Sequence, residues 1–417
     1  MSSNSFINFL SKKIIPPISE QFLGPIVLFL LTPIVINELG LEDYGLWVLL
    51  LSLSMFSQVI CLGITAWLAK TIAESFSIGD FNNINKIMNS SFLLILLCIF
   101  IITLIVIVLY ILGFFNKISI SFIFFCIIAC MFQEIDNLFT NATKGYELFH
   151  YAFFMELIGR CLWVSAVFFG IIHHEIVAYT SIGIIVKSLI KYFSFNILII
   201  KKWVLPISSI NEVKKRFVES KWMFLQLIGG TSLNLFDRLL IPVVLGINKL
   251  AAYTPCIQLA QLAFSVPAAA NQILMPMFSR FKSTNKYPIY WAKLVLFASL
   301  FSATPCIVLF IFSQEILSLW INDLFSEQNY YILKILALAY GFLSSFSTLH
   351  FILLGIGESK LVAKINLFAG AITMLTTILV SQFGIVFIAC MKFIYPIIQL
   401  RYLSLIKNQI VSLAHNE

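Results

Sequence analysis

An all-α polytopic membrane fold, with about twelve transmembrane helices in two six-helix halves, is what this 417-residue sequence predicts, and three observations predict it. The chain is 60% hydrophobic, with a mean hydropathy of +0.98. Apolar runs of about 20 residues recur from end to end, the length a helix needs to cross roughly 30 Å of hydrocarbon at a rise of about 1.5 Å per residue. Those runs are continuous, as over 91–112, whereas a lipid-spanning β-barrel alternates apolar and polar residues in strands of about ten.

The N-terminal half, 1–200, holds six spans. The first, 18–38, follows Lys12 and Lys13 but carries Glu20, Pro25 and Pro33 and lacks a small-residue cleavage site, so it reads as a retained helix and not a signal peptide. The second covers 43–68 and the third 88–112. The fourth, 118–140, contains Glu134 and Asp136; the fifth, 151–172, Glu156 and Arg160; the sixth, 176–200, Lys187 and Lys191. Residues 201–221 form a basic amphipathic cytoplasmic linker, with Trp203, Ile207, Ile210, Val213 and Phe217 at near-helical spacing. The C-terminal half, 222–417, continues with 222–246, which carries Asp237 and Arg238, and 250–275, which carries Gln258, Gln261, Asn271 and Gln272. Spans at 288–312, 329–354, 360–381 and 384–405 complete it; Lys334 lies in the tenth and Lys392 in the last. Prolines in or beside the spans, Pro242, Pro255, Pro267, Pro305 and Pro396 among them, remove backbone donors and kink their helices.

Basic residues set the orientation, because Lys and Arg in short loops stay cytoplasmic. With the N-terminus inside, the cytoplasmic segments carry Lys12, Lys13, Lys70, Lys86, Lys144 and the basic linker, then Arg280, Lys282, Lys286, Lys360, Lys364, Arg401 and Lys407. The outer loops carry Lys117 and Lys249, and both termini fall in the cytoplasm. The net charge of +8 is thereby spread over short loops as a topology signal, which argues against nucleic acid as a partner. All eight cysteines fall within spans without a C-x-x-C pair, so they read as packing residues. His173 and His174 sit in a short outer turn, and neither a metal nor a cofactor is expected. Trp47, Trp163, Trp203, Trp291 and Trp320 lie near span ends and read as interfacial anchors.

The halves also look related. Placing 31–44 over 240–253, an offset of 209, aligns Pro33 with Pro242, Leu41 with Leu250 and Tyr44 with Tyr253, although chance matches compete in so apolar a chain. Six spans per half give both halves one orientation and a symmetry axis along the membrane normal, the arrangement of transporters that rock two halves about a central path.

The stretch N-E-L-G-L-E-D-Y-G-L-W at 37–47 resembles the first outer turn and second helix of polysaccharide repeat-unit flippases. N-L-F-D-R-L-L-I-P-V-V-L-G at 234–246, with Tyr253 and later P-M-F-S-R at 276–280, resembles their seventh and eighth helices. The family is that of the Wzx-type O-antigen flippases, within the multidrug/oligosaccharidyl-lipid/polysaccharide exporter superfamily, and the resemblance covers nearly the whole chain. It implies a fold like that of the multidrug and toxin extrusion (MATE) transporters. The implied substrate is an oligosaccharide repeat unit joined through pyrophosphate to undecaprenol, moved from the cytoplasmic to the periplasmic leaflet of a bacterial inner membrane. A polysaccharide polymerase or chain-length regulator would be a partner.

Ionisable residues inside spans are expensive and usually face a cavity or a partner. Arg160, Lys187, Lys191, Arg238, Lys334 and Lys392 outnumber Glu134, Asp136, Glu156 and Asp237 by two, a balance suited to a pyrophosphate. Arg160, Lys187, Arg238, Lys392, Gln258 and Gln261 are therefore the substrate-path candidates. Glu134, Asp136, Glu156 and Asp237 are candidates for ion coupling or ion pairing. Glu156 and Arg160, four apart, share a helix face and can pair. Lys191 can snorkel toward the cytoplasm and Lys334 anchor at the outer interface. Asp237 and Arg238, about 100° apart around a helix, cannot point at one spot; one arrangement turns Arg238 into a cavity while Asp237 meets a neighbouring helix. Lys392 serves a substrate path or helix pairing equally well, and the glutamines suit sugar hydroxyls or interhelical hydrogen bonds.

Three functions compete. A lipid-linked oligosaccharide flippase working by alternating access fits the basic interior. A cation-coupled multidrug exporter of the MATE type would want an acidic cavity. A membrane polymerase or glycosyltransferase would want a catalytic domain outside the membrane, whereas the longest outer loop, near 313–328, spans about 16 residues, so no enzymatic activity is expected.

Overall fold

The computed structural model of the chain describes residues 15–111, 119–272, 274–275, 277–279 and 291–404. The expectations placed on Lys12, Lys13, Lys117, Arg280, Lys282, Lys286 and Lys407, on the C-terminus and on the start of the ninth span lie outside these residues. Within them the fold is built from α-helices, as predicted.

The first helix, α1 (Ile15–Ile78), is a 64-residue run broken at Gly40, whose φ of 83° is open to glycine and strained for other residues. It holds the two spans read separately in the sequence. Next come α2 (Phe81–Ile111), α3 (Ile120–Gly145), α4 (Phe149–Ile172) and α5 (Ile176–Ser194), which passes into a π-helical turn at Phe195–Ile200. Short polar residues start two of these helices: the Asp80 carboxylate accepts from Asn83 N at 3.0 Å, and Ser119 Oγ accepts from Phe122 N at 3.3 Å. Then follow α6 (Ile210–Val244), α7 (Ile247–Asn271), α8 (Trp291–Ile311), α9 (Ser313–Trp320), α10 (Asp323–Gly355), α11 (Ser359–Val380), α12 (Ile385–Met391) and α13 (Ile394–Gln399). Asn322 caps α10 by accepting from Phe325 N at 2.8 Å.

Eight helices among the described residues are long and apolar enough to cross a bilayer, or nine if α8 and α9, bent by 73°, form one span. Two of the twelve predicted spans are the arms of α1, separate helices joined at the non-helical Gly40, and α7 mixes Gln258, Gln261, Pro255 and Pro267 into its apolar residues.

The chain divides into two compact units. Residues up to Leu31 join Glu38–Leu235 in the first; Thr32–Asn37 join the residues from Phe236 onward in the second. The boundary falls inside α6, downstream of the 201–221 linker. That linker packs with the first unit: Val204 and Val213 are buried in its core, and buried Arg216 donates to Ser90 Oγ at 3.3 Å with its guanidinium over the Trp67 ring. Because lipid is as apolar as leucine, close packing and hydrogen bonding hold such helices together. In the first unit Leu68, Ile72, Ile87, Leu138 and Phe139 interlock across α1, α2 and α3. In the second, Phe278, Leu353, Val362 and Tyr402 belong to an apolar cluster. Large apolar side chains such as Phe100, Phe297 and Leu375 stay exposed, as a surface facing acyl chains requires.

Trp47 and Trp163 depart from the expected anchoring role. Both are buried; they stack at 6.3 Å, and Trp47 Nε1 donates to Thr180 Oγ1 at 3.0 Å. Their rings fill a helix junction, made possible by Gly183, where a Cβ would stand 3.0 Å from the Trp163 ring. Trp203, 56% exposed, keeps the surface position that an anchor needs.

Candidate functional site

In the first unit, three helices each direct an i, i+4 pair into one buried cluster: Asp136 and Thr140 from α3, Glu156 and Arg160 from α4, Lys187 and Lys191 from α5. Side chains four apart lie on one helix face, so each helix presents both members together. Lys187 Nζ lies 3.3 Å from Asp136 Oδ2 and 2.9 Å from Glu156 Oε1. Lys191 Nζ lies 2.8 Å from Asp136 Oδ1 and 2.5 Å from Glu156 Oε2, and donates to Thr140 Oγ1 at 2.7 Å. Arg160 Nε donates to Glu156 Oε1 at 2.6 Å. Lys191 is thus held inside and does not snorkel, because two carboxylates and a hydroxyl occupy its ammonium group.

The cluster is deeply buried except at one point. The side chains of Asp136, Glu156, Lys187 and Lys191 are 4–6% exposed, and that of Arg160 is 27% exposed. Two glycines make room for the cations. A Cβ at Gly159 would stand 2.6 Å from Lys187 Cγ, and one at Gly24 would stand 3.2 Å from Arg160 Nη2. Arg160, Lys187 and Lys191 against Asp136 and Glu156 leave one positive charge, and Arg160 is the member that reaches the surface of the unit.

Glu134, two residues before Asp136, faces elsewhere, because two helical steps rotate a side chain by about 200°. It is fully buried, and its Oε1 accepts from Ser57 Oγ at 2.9 Å.

The second unit has its own cluster. Asp237 of α6 lies 3.0 Å from Lys392 Nζ and accepts from the Tyr253 hydroxyl at 2.5 Å. Arg238 turns away from it, as the helical geometry anticipated, and Nη2 donates to Gln261 Oε1 at 2.9 Å. Gln261 Nε2 in turn donates to the Tyr340 hydroxyl at 3.2 Å. Arg238 Nε is buried and has no hydrogen-bond partner among the described residues. Gln258 accepts from Thr32 Oγ1 at 3.1 Å. Asn271 donates to Ser302 Oγ and Ser347 Oγ, so it joins helices. Lys334 lies over the Tyr330 ring at 5.2 Å.

Sequence reading missed Thr140, Tyr253 and Tyr340 as partners of these charges. Thr140 carried a signal, its four-residue spacing from Asp136. The tyrosines carried none, since their partners are 16 and 79 residues away. Among the described residues no group of three or more His, Cys, Asp or Glu side chains is arranged to hold a metal ion.

The sequence profile of the family described as "Polysaccharide biosynthesis protein" matches residues 10–282. The chain belongs to that family. Among curated proteins, this family member is 23% identical over 154 residues to the "Putative O-antigen transporter" of Shigella flexneri, a match spanning 37% of each protein. Among solved structures, the lipid II flippase MurJ in an inward closed conformation superposes with a TM-score of 0.71 at 13% identity, over 94% of this chain and 86% of that one. An inward-facing MATE-family multidrug resistance transporter of the MOP superfamily gives 0.67 at 14% identity, over 94% and 99%. This family member therefore shares its fold with these two structures, and the protein is a multi-pass membrane protein.

Proposed function

We propose that this protein is a flippase that carries undecaprenyl-pyrophosphate-linked repeat units of O-antigen, or of a related polysaccharide, across the bacterial inner membrane by alternating access. In this reading both termini are cytoplasmic, and the polyprenyl tail stays in lipid while the pyrophosphate and sugars pass through protein. One observation carries it: in a fold shared with MurJ and MATE transporters, the buried polar clusters are cationic. The ion-paired cluster of the first unit keeps one unmatched positive charge, with Arg160 outermost. The second keeps Arg238 and Lys392 against Asp237, with Arg238 Nε undirected. A cationic site attracts a pyrophosphate and repels the organic cations that a multidrug exporter of the MATE type would carry. Arg160 and Arg238 are the anion-binding groups in this reading. Lys187 and Lys392 hold the carboxylates that position them, and Gln261 orients Arg238.

Deletion of the gene in the native bacterium tests this. Loss of surface glycan with accumulation of undecaprenyl-pyrophosphate-linked repeat unit in the inner leaflet, reversed by wild type but not by Arg238→Ala at equal expression, is the expected result. Normal glycan without accumulation, in a strain with no second flippase, together with lost resistance to cationic dyes, would transfer the assignment to the drug exporter.

A further inference from the structure

Of the carboxylates Glu134, Asp136, Glu156 and Asp237, the last three are each ion-paired to lysine. Glu134 is not: among the described residues no lysine or arginine lies within ion-pairing distance of it, and its Oε2 is buried without a hydrogen-bond partner. The titratable groups facing it are thiols, Cys61 from α1, Cys98 from α2 and Cys130 one turn earlier on α3, with Ser57 and Asn137 as its uncharged polar neighbours. An ionised carboxylate in this setting is out of reach of bulk solvent and has no cation beside it among the described residues.

The hydrogen bonding around Ser57 points the same way. Its Oγ lies 2.9 Å from Glu134 Oε1 and 2.8 Å from the Ser54 carbonyl oxygen. A hydroxyl has one hydrogen, so with an ionised Glu134 the two acceptors must share it. With a proton on Glu134 Oε1 each contact has its own hydrogen: the carboxylic acid donates to Ser57 Oγ, and the serine hydrogen goes to the Ser54 carbonyl. The surroundings also discriminate among ligands. A hard metal cation wants several oxygens, and here the second layer is sulfur.

We infer that Glu134 is a proton-binding site, separate from the ion-paired cluster, whose occupancy sets the summed charge of Glu134 and that cluster. With the proton bound, Arg160, Lys187 and Lys191 exceed Asp136 and Glu156 by one charge; with it released, Glu134 cancels that excess. Proton loading therefore favours anion binding and release disfavours it, a consequence that rests on the flippase reading. Glu134 is fully buried beneath Ser57 and Cys61, so its proton exchanges with water only when α1 and α3 separate, which ties protonation to a change of conformation.

Infrared difference spectroscopy of the full chain in lipid nanodiscs, between about pH 5 and about pH 9, tests the site directly. The expected result is a protonated-carboxyl C=O band that disappears on alkalinisation, is missing in Glu134→Gln and titrates at a shifted midpoint in Ser57→Ala. A band that titrates unchanged in Glu134→Gln, or one that persists at both ends of the range, overturns the proposal. If Glu134→Gln does not fold, Ser57→Ala and Glu134→Asp decide by whether the midpoint moves. Inorganic pyrophosphate is the probe for the coupled effect: between the acid and alkaline ends wild type should lose roughly tenfold more affinity than Glu134→Gln, a comparison in which the titration of pyrophosphate itself cancels. A titrating band with no pyrophosphate binding at any pH would leave the proton site standing and remove the anion-binding assignment.

Discussion

Lys187 crosses α4 at Gly159, so close that a Cβ there would stand 2.6 Å from the lysine Cγ. Gly159→Ala should therefore force the lysine stem aside, stretch its contacts with Asp136 and Glu156, and destabilise the protein by about 1–3 kcal/mol. Thermal unfolding of the purified protein in detergent measures this. An unchanged melting temperature would mean that the stem has room the structure does not show.

Removing one partner from a buried ionic cluster is worse than removing a pair. Glu156→Gln leaves Lys187 and Lys191 sharing Asp136 alone, an expected loss of about 3–5 kcal/mol. Adding Lys187→Met to it removes the stranded charge and should restore much of that stability. Denaturation midpoints of the two single variants and the double variant read the coupling directly.

Arg160 should separate function from folding. It is the most exposed member of its cluster, and Glu156 keeps two lysines without it. Arg160→Ala is expected to change unfolding free energy by no more than about 1 kcal/mol while abolishing complementation of surface glycan in a deletion strain. Immunoblots for membrane abundance and glycan staining on the same cells check both halves.

Asp237 receives both Tyr253 and Lys392, and the two contacts should differ in weight. Tyr253→Phe removes one hydrogen bond to a charged acceptor, about 1.5–3 kcal/mol. Asp237→Asn removes the carboxylate charge that faces the buried Lys392 ammonium and should cost more, about 3–5 kcal/mol. Equal losses would show that the tyrosine, and not the lysine, holds the carboxylate.

The membrane fold was legible because a span of lipid imposes a length on the chain, and residues 91–112 could satisfy it only as a helix. The Glu156–Arg160 pair was legible because both members sit on one helix face. The rest of the cluster was not. Lys187 meets Asp136 and Glu156 across gaps of 51 and 31 residues, and nothing in the local pattern tells a captured lysine from one that snorkels. Trp47 and Trp163 misled for the same reason: position near a span end suggests an interface, and only packing against Gly183 and Thr180 shows a buried stack. Glu134 and Asp136 look alike in sequence, and helical rotation alone sends one to the cations and the other to the thiols.

Asn37 accepts from Asn322 Nδ2 at 2.7 Å and donates to the Ile321 carbonyl at 3.2 Å, across 285 and 284 residues. Both contacts lie within the second unit, to which residues 32–37 belong. A ribosome adding about 5–20 residues per second makes Asn322 roughly 15–60 s after Asn37. For that interval the first hairpin lacks this tie, and the exposed Asn37 amide at its turn is met by water. It also follows that a gene split between the fifth and sixth helices yields a downstream polypeptide missing a piece of its own interior, so the second unit is completed only after translation is well advanced.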